Sequence, residues 1–536
     1  MDGNVETPTL SMSHASRRLL VIGLLLLAGA GRAVGEDITL NFNGEVPAGA
    51  EPHFFLPFEV PAGIAEVEVR HDDLSDANIL DWGLDDADGF RGWGGGNREP
   101  AIVGIDAASR SYVPGPIKPG TWEVVVGKAK VIEQPARYAV EVILRETPTL
   151  AAQTERRPYA APDPLIREAR WYAGDFHVHS RESGDAQPTI EEILEFAESR
   201  GLDFVMLSDH NTNSQLSLYA AAQAGSPNVL LLPGVEFTTY AGHANGIGAT
   251  EWVDHRIGVR GATIDGAIDS FHEQGALFSI NHPQLRLGDA CIGCAWEHDV
   301  DPAQIDAVEV RTGIVTGRNF WEALVAQGSH AAAVGGSDDH RGGMVGSIID
   351  SPIGSPTTMV YAEELSVEAV LDGIRDARTV VKFEGPDGPM IDTEASGERR
   401  GDVVYAMLST LRATVTAGNG TNLRLIKNGD LIETTAVDSD PFVHEIEVES
   451  PLTGEDGYHF EVWRGSALAT IASYFWLQSE DALRSSNGDD GCTMMTHHNG
   501  GRSLLLPLGA LALLATMRKV RKRRRVTRGG LTRPPY

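Results

Sequence analysis

Between Arg170 and Glu384, five strand-like stretches each end in a histidine or a carboxylate. No other feature constrains the fold as strongly. The first stretch reads DFHVHS, Asp175 to Ser180. Residues i and i+2 of a strand share a face, so His177 and His179 are aimed together. Neutral imidazole is a common metal ligand. The second stretch, DFVMLSDH, ends in Asp209 and His210. The third, VLLLPGVEFTT, carries Glu236, and His243 follows in AGHANGIG. ALFSINHP ends at His282, and AAAVGGSDDH brings Asp338 and His340. One histidine at a strand end is ordinarily a packing or surface group. Five such ends predict a shared rim that holds more than one metal ion. His, Asp and Glu donors suit Zn, Mn or Fe.

Helical periodicity separates these strands. TIEEILEFAESRG puts Ile190, Ile193, Leu194 and Ala197 on one stripe, opens after Pro188-Thr189 and closes at Gly201. TIDGAIDSFHEQG and NFWEALVAQG read the same way, and AVEVRT is a further strand. The alternation predicts a parallel β/α barrel, with its chemistry at the C-terminal strand ends.

The motifs DFHVHS, MLSDHNT, PGVEFTT, NHP and GGSDDH resemble, in order and spacing, the series of the PHP (polymerase and histidinol phosphatase) superfamily over roughly residues 170–385. The flanking regions resemble its CehA/McbA, carbaryl-hydrolase-like branch. The resemblance implies a distorted (β/α)7 PHP barrel with two to three divalent metal ions. It implies one ligand group of His177, His179, Glu236 and Asp338. Glu236 would bridge to a second group with His243 and His282, and His210 and His340 would form a third with Asp185. In SGD the Asp185 carboxylate is shifted one position from the family's Ser-Asp-Gly arrangement. Glu236, His243 and His340 are the candidate catalytic residues, the two histidines as proton donors to a leaving group. Asp209 is placed as an outer partner orienting an imidazole, and Asp339 as the non-ligand of its pair. The implied activity is hydrolysis by a metal-activated water. Phosphoesters are the superfamily's substrate class, and carbamates or carboxyl esters are the branch's. A non-catalytic metal-binding surface protein is the remaining class, and the complete ligand set speaks against it.

The 536 residues exceed one typical domain. Residues 36–150 alternate as half-buried strands (HFFLPFEV, IAEVEVRH, TWEVVVGKAKV, RYAVEVILRE), predicting a β-sandwich-like accessory domain. Residues 151–169 read as a linker, 170–385 as the barrel and 393–480 as a C-terminal β-sandwich-like domain, with KNGDL as a hairpin turn. Residues 1–35 read as a signal peptide: Arg17-Arg18, an apolar run and a small-residue site at Ala33-Val34-Gly35. Residues 481–536 join a Cys, a 15-residue apolar run (Ser503 to Met517) and a basic cluster. That order resembles bacterial C-terminal sorting tails cut by a processing protease, with a plain membrane anchor as the alternative. Either reading predicts export to the cell surface, periplasm or medium, with membrane contact through the tail.

Nine of the 44 Lys/Arg lie from Arg518 onward, leaving 35 against 75 Asp/Glu in the rest. Such an acidic body repels polyphosphate backbones, so general nucleic-acid binding is not expected, and the predicted partner is a small-molecule substrate. The CIGC stretch, Cys291 to Cys294, predicts a local disulfide in an exported protein. Arg286, Arg311 and Arg341 are the cations nearest in sequence to the later motifs. His255, His272 and His497-His498 are not expected to join the rim.

Overall fold

A computed structural model describes residues 37–346, 351–397, 403–405 and 408–478. The expected signal peptide and the apolar-basic tail lie outside the described residues. No described helix is long and apolar enough to cross a membrane.

The first eight strands are β1 (Ile38–Glu45), β2 (His53–Val60), β3 (Glu66–Asp72), β4 (Ile79–Asp86), β5 (Gly89–Gly95), β6 (Ala101–Gly104), β7 (Gly120–Lys130) and β8 (Arg137–Arg145). They form two four-stranded sheets, ordered β1-β8-β3-β6 and β2-β7-β4-β5. Inward residues such as Val67, Trp122, Val124 and Val142 bury one core between the sheets. Alternating apolar residues on strands joined by Gly- and Asp-rich turns favour this packing.

The central region holds β9 (Arg170–Val178), α1 (Ile190–Ser199), β10 (Phe204–Leu207), α2 (Tyr219–Gly225), β11 (Leu230–Leu232), β12 (Gly234–Thr239), β13 (Gly242–Ile247) and α3 (Ile264–Glu273). It continues through β14 (Leu277–Ile280), β15 (Ala307–Thr312), β16 (Val315–Thr316), α4 (Arg318–Val325), β17 (Ala332–Gly336), β18 (Thr357–Ala362), α5 (Val367–Arg375) and β19 (Thr379–Lys382). Thr189 and Glu192 close a capping box on α1, whose Ile190, Ile193, Leu194 and Ala197 are buried against the strands.

The expected distorted (β/α)7 barrel is not shown by these strands. They fall into two sheets, β12-β13-β14-β15 with β16 and β17, and a longer one containing β11-β10-β9-β18-β19. Five α-helices occur among the described residues. The stretch VLLLPGVEFTT is two strands, because Pro233 cannot donate to a ladder. AGHANGIG forms β13, antiparallel to β12 across a tight hairpin. Isolated parallel bridges, Val178 to Asp339 and His210 to Glu236, join the two sheets edge to edge. The ends of β9, β10, β14 and β17 therefore meet the β12–β13 hairpin around one opening.

The final strands are β20 (Met390–Ala395), β21 (Val403–Tyr405), β22 (Leu408–Thr416), β23 (Asn422–Lys427), β24 (Asp430–Ala436), β25 (Phe442–Glu449), β26 (Glu455–Arg464), β27 (Ala467–Ala472) and β28 (Phe475–Gln478). They do not make a detached domain. Pairing of Val380, Val381 and Lys382 with Ala472, Ile471 and Thr470 carries the central sheet straight into them.

The N-terminal sandwich docks on the segment after β13. Arg256 pairs with Asp85 at 2.6 Å, and Arg260 grips Glu123 with two nitrogens while lying 3.6 Å from the Phe55 ring centroid. Phe90 stacks on Trp252, and Tyr240 donates to Asp81 at 2.7 Å. Such aromatic and cation–π contacts fix the two parts in one orientation.

Candidate metal centre

His177 and His179 leave the end of β9 with their Nε2 atoms 3.1 Å apart. Two imidazoles repel at that distance unless something positive or a shared proton lies between them. Asp338 Oδ1 is 3.2 Å from each. Glu236 closes the group, Oε1 at 3.3 Å from His177 and Oε2 at 3.5 Å from His179. Four donors set tetrahedrally at about 2.0–2.1 Å from one ion are roughly 3.3 Å apart. The spacing therefore fits an ion.

Glu236 is the hub. Its Oε1 also lies 3.0 Å from His282 Nε2 and 3.2 Å from His243 Nδ1, and its Oε2 is 2.8 Å from His210 Nδ1. One fully buried carboxylate is thus shared by five imidazoles. Glu236 Oε2 and His243 Nδ1 are buried without a hydrogen bond. Buried polar atoms are normally satisfied, so these orphaned donors fit metal ions.

The third group is His210 and His340 with Asp185, whose Oδ2 lies 3.3 and 3.4 Å from their Nε2 atoms. Despite its shifted position, Asp185 reaches both rings. It is the most exposed member, with 53% of its side chain accessible. His179 also stacks on His340, at a ring separation of 4.0 Å.

The surroundings orient these rings. Glu309 Oε1 accepts from His177 Nδ1 at 2.8 Å, and its Oε2 accepts from the His282 backbone N–H at 2.9 Å. Sequence reading passed over Glu309, the one charged residue in the wholly buried AVEV run of β15. Asn281 Nδ2 donates to Glu236 Oε1 at 3.0 Å. Ser183 Oγ lies 3.2 Å from His179 Nδ1, and Thr238 Oγ1 lies 2.6 Å from His210 Nδ1. Asp209 orients no imidazole: its carboxylate accepts from the Ser180 N–H and hydroxyl, both at 2.7 Å. Asp339 accepts from the Arg341 and Gly343 N–H groups. Asn211, His282 and Asp338 sit at φ of 52°, 26° and 57°, left-handed conformations that cost energy outside glycine.

Electrostatics follows from burial and charge. Burial alone would lower His177, but Glu236, Glu309 and Asp338 outweigh it and raise its pKa well above normal. Burial lowers His179 to about 3, helped by His340 and His210. For Glu236, burial would raise the pKa, but the His177, His210 and His243 rings hold it well below the usual range. Burial pushes Asp209 up to about 8.

A cavity of about 1620 Å³ opens over the donors. Its floor includes His210, Glu236, His243 and His282, and its far wall is the N-terminal sandwich through Ile79, Asp81 and Trp93. Sequence patterning gave the sandwich no role at the site. Arg341 lines the cavity, whereas Arg286 is exposed and pairs with Glu297 at 3.3 Å. Arg311 packs its guanidinium against the Phe383 ring. His272 pairs with Asp306, and His255 lies between Trp93 and Trp252, so neither joins the rim. His497 and His498 lie outside the described residues.

No family model and no curated protein matches the chain. Solved structures give distant likenesses. A two-domain protein of Bacteroides vulgatus, described as containing a predicted PHP-like metal-dependent phosphoesterase, is 17% identical. That match covers 58% of this chain and 95% of the other, with a TM-score of 0.34. An amidohydrolase of Chromobacterium violaceum is 16% identical over 33% of this chain and 93% of its own, with a TM-score of 0.23. A CARDB domain of Pyrococcus furiosus is 17% identical over 17% of this chain and 95% of its own, with a TM-score of 0.14. With TM-scores below 0.5, these likenesses carry no weight beside the donor geometry.

Proposed function

We propose that the chain is a metal-dependent hydrolase of the PHP kind, acting on phosphoesters. The observation that supports it most is the sharing of Glu236 among His177, His179, His210, His243 and His282. His177, His179, Glu236 and Asp338 would hold one divalent ion, Glu236 with His243 and His282 a second, and His210, His340 and Asp185 a third. When bound, such ions supply a water of lowered pKa and a Lewis acid for the ester oxygen. Glu309 and Asn281 hold the inner groups rigid, so little reorganisation is left for the reaction. When no ion occupies the third position, His340, with 29% of its side chain accessible and a place on the cavity wall, is the residue best set to give a proton to a leaving oxygen. Arg341 lines the same wall, within the cavity an anionic substrate would enter.

The mouth favours a second reading for part of the substrate. Leu287, Ile314 and Met344 are large, exposed and line the cavity. A bulky apolar group seats there whether the cleaved bond is a phosphoester, a carbamate or a carboxyl ester. The test is metal-analysed protein assayed on p-nitrophenyl phosphate, bis-p-nitrophenyl phosphate and naphthyl carbamate. Metal-dependent cleavage of a phosphoester is expected. Turnover of the carbamate alone moves the chain to the second class, and no turnover of any by metal-loaded protein ends the hydrolase reading.

A further inference from the structure

His243 and His282 reach Glu236 through different nitrogens. His282 uses Nε2 and His243 uses Nδ1. Their opposite nitrogens both meet one short loop. His282 Nδ1 donates to the Cys294 carbonyl and His243 Nε2 to the Ile292 carbonyl, each at 3.3 Å. A carbonyl can only accept, so both contacts fix the proton on the far side of the ring. The near nitrogen is left with a free lone pair, as a metal ligand requires.

That loop is closed by the Cys291–Cys294 disulfide. Residues 286–290 are exposed, and the loop has little of its own regular structure beyond one short turn. Its anchors are few. Gly293, at φ +79°, presses on the Thr239 carbonyl so closely that a Cβ would sit 2.4 Å from that oxygen. Lys130 of the N-terminal sandwich pairs with Asp289 at 2.6 Å. Cys294 is buried, while Cys291 is half-buried and lines the cavity. The donor atoms of His243, Cys291 and Cys294 also lie within 4.8 Å of one another. Oxidised, the two sulfurs are poor ligands. Reduced, they are soft ligands beside an imidazole of the second group.

We propose that the Cys291–Cys294 loop is a redox-controlled positioning element for the metal group of Glu236, His243 and His282, holding both imidazoles in their ligating tautomers when oxidised and competing for the ion when reduced. The inference rests on the metal reading above. Reduction by a dithiol breaks the Cys291–Cys294 sulfur–sulfur bond. Each sulfur takes up a proton, and the two electrons come from the dithiol, which closes to its own cyclic disulfide. The loop carbonyls then lose their closure, and Cys291 and Cys294, releasing their two thiol protons to solvent as they bind, join His243 in an S₂N donor set that draws a soft ion away from Glu236.

The experiment uses the full chain with Co²⁺ and Zn²⁺ as probes. Oxidised protein, protein reduced with dithiothreitol and desalted anaerobically, and the Cys291→Ser/Cys294→Ser variant are compared. Free-thiol titration verifies each state, and circular dichroism verifies folding. The expected result is two or more ions in the oxidised protein. On reduction one of them should weaken about tenfold or more, the size typical of losing an outer partner. A sulfur-to-cobalt charge-transfer band should appear only in the reduced wild type. The serine variant should show the weaker ion without the band. Equal affinity and stoichiometry in all three forms, with no band, overturns the loop proposal and leaves the metal centre standing. Failure of every form, oxidised included, to bind an ion overturns both.

Discussion

Among the described residues two clusters join histidine to two carboxylates, and they differ in what sits at their centre. Glu322, His459 and Glu461 lie where α4 meets β26, with His459 Nε2 at 3.6 and 3.5 Å from the two carboxylates. A guanidinium is already there: Arg318 Nε is 2.6 Å from Glu461, and its NH2 nitrogen is 3.4 Å from Glu322. Tyr474 donates to Glu322 and Trp463 to Glu461. Burial would raise Glu461, but His459 and Arg318 outweigh it and hold the carboxyl at about 2. At the rim, by contrast, the ion-pair partners of Glu236 among the described residues are five imidazoles and no guanidinium, while unsatisfied buried atoms occur in both clusters: Glu236 Oε2 at the rim, Glu322 Oε1 and both His459 ring nitrogens in the other. Similar residue types at similar spacings do different work, and what separates them is whether a protein cation fills the centre.

The largest expected effect sets the two clusters against each other. Glu236→Ala removes the shared carboxylate, so metal content by elemental analysis should fall by at least one ion per chain. Activity should fall beyond the roughly 10- to 100-fold that loss of an outer partner costs. Glu461→Ala should leave metal content unchanged. Equal losses in the two variants would mean that the second cluster is also a metal site and that Arg318 is displaced from it.

Arg318→Gln tests the other half. It leaves Glu461, with 1% of its side chain accessible, beside a second carboxylate and without its cation. Breaking such a pair costs about 3 kcal/mol, read as a lower denaturation midpoint with unchanged metal content. A variant as stable as the wild type would show that Arg318 is not what balances the cluster.

Glu309→Gln is smaller again. Glutamine keeps an acceptor for His177 Nδ1 but loses the negative charge, so affinity at the His177 group should drop about tenfold in a metal titration. The His243 and His282 group should lose less, although the His282 N–H also bonds Glu309.

How much of this was legible follows from the range of each signal. The paired aim of His177 and His179 is an i, i+2 property, and strand ends rich in His and Asp mark a rim without knowledge of strand order. Glu309 was lost because one charged residue in AVEVRT reads as ordinary strand alternation, whereas β15 is buried on both faces. The hairpin that delivers His243 was hidden by the glycines of AGHANGIG, which look like a loop. Continuity of the central sheet with β27 depends on pairing across some 90 residues (Val380 with Ala472), which no local pattern encodes. The N-terminal wall of the cavity is likewise a docking fact, carried by Arg256, Arg260 and Tyr240, each unremarkable in sequence.

A third histidine environment sharpens the comparison with the smallest effect. His53 of the sandwich and His255 of the central region face each other at 5.9 Å, and none of their ring nitrogens has a hydrogen bond. Burial lowers His53 to about 4, with Arg256 and Lys128 adding to the fall and Asp254 opposing it. Burial lowers His255 well below normal, with His53 and Arg256 pushing the same way. Here there is neither a converging carboxylate cluster nor a reason to bind an ion, and the rings stay neutral. The folded pKa lies below the unfolded value of 6.5, so on acidification the unfolded chain takes up the proton first. The stability this provides is fully present above pH 6.5 and is lost as pH falls toward about 4. His53→Phe cannot take up that proton in either state, so its denaturation midpoint should fall less steeply over this window. At pH 5 the difference in slope amounts to about 1 kcal/mol per pH unit. Parallel midpoint curves for the two proteins would mean that His53 is not held neutral, and that burial without a partner does not by itself separate this pair from the rim histidines.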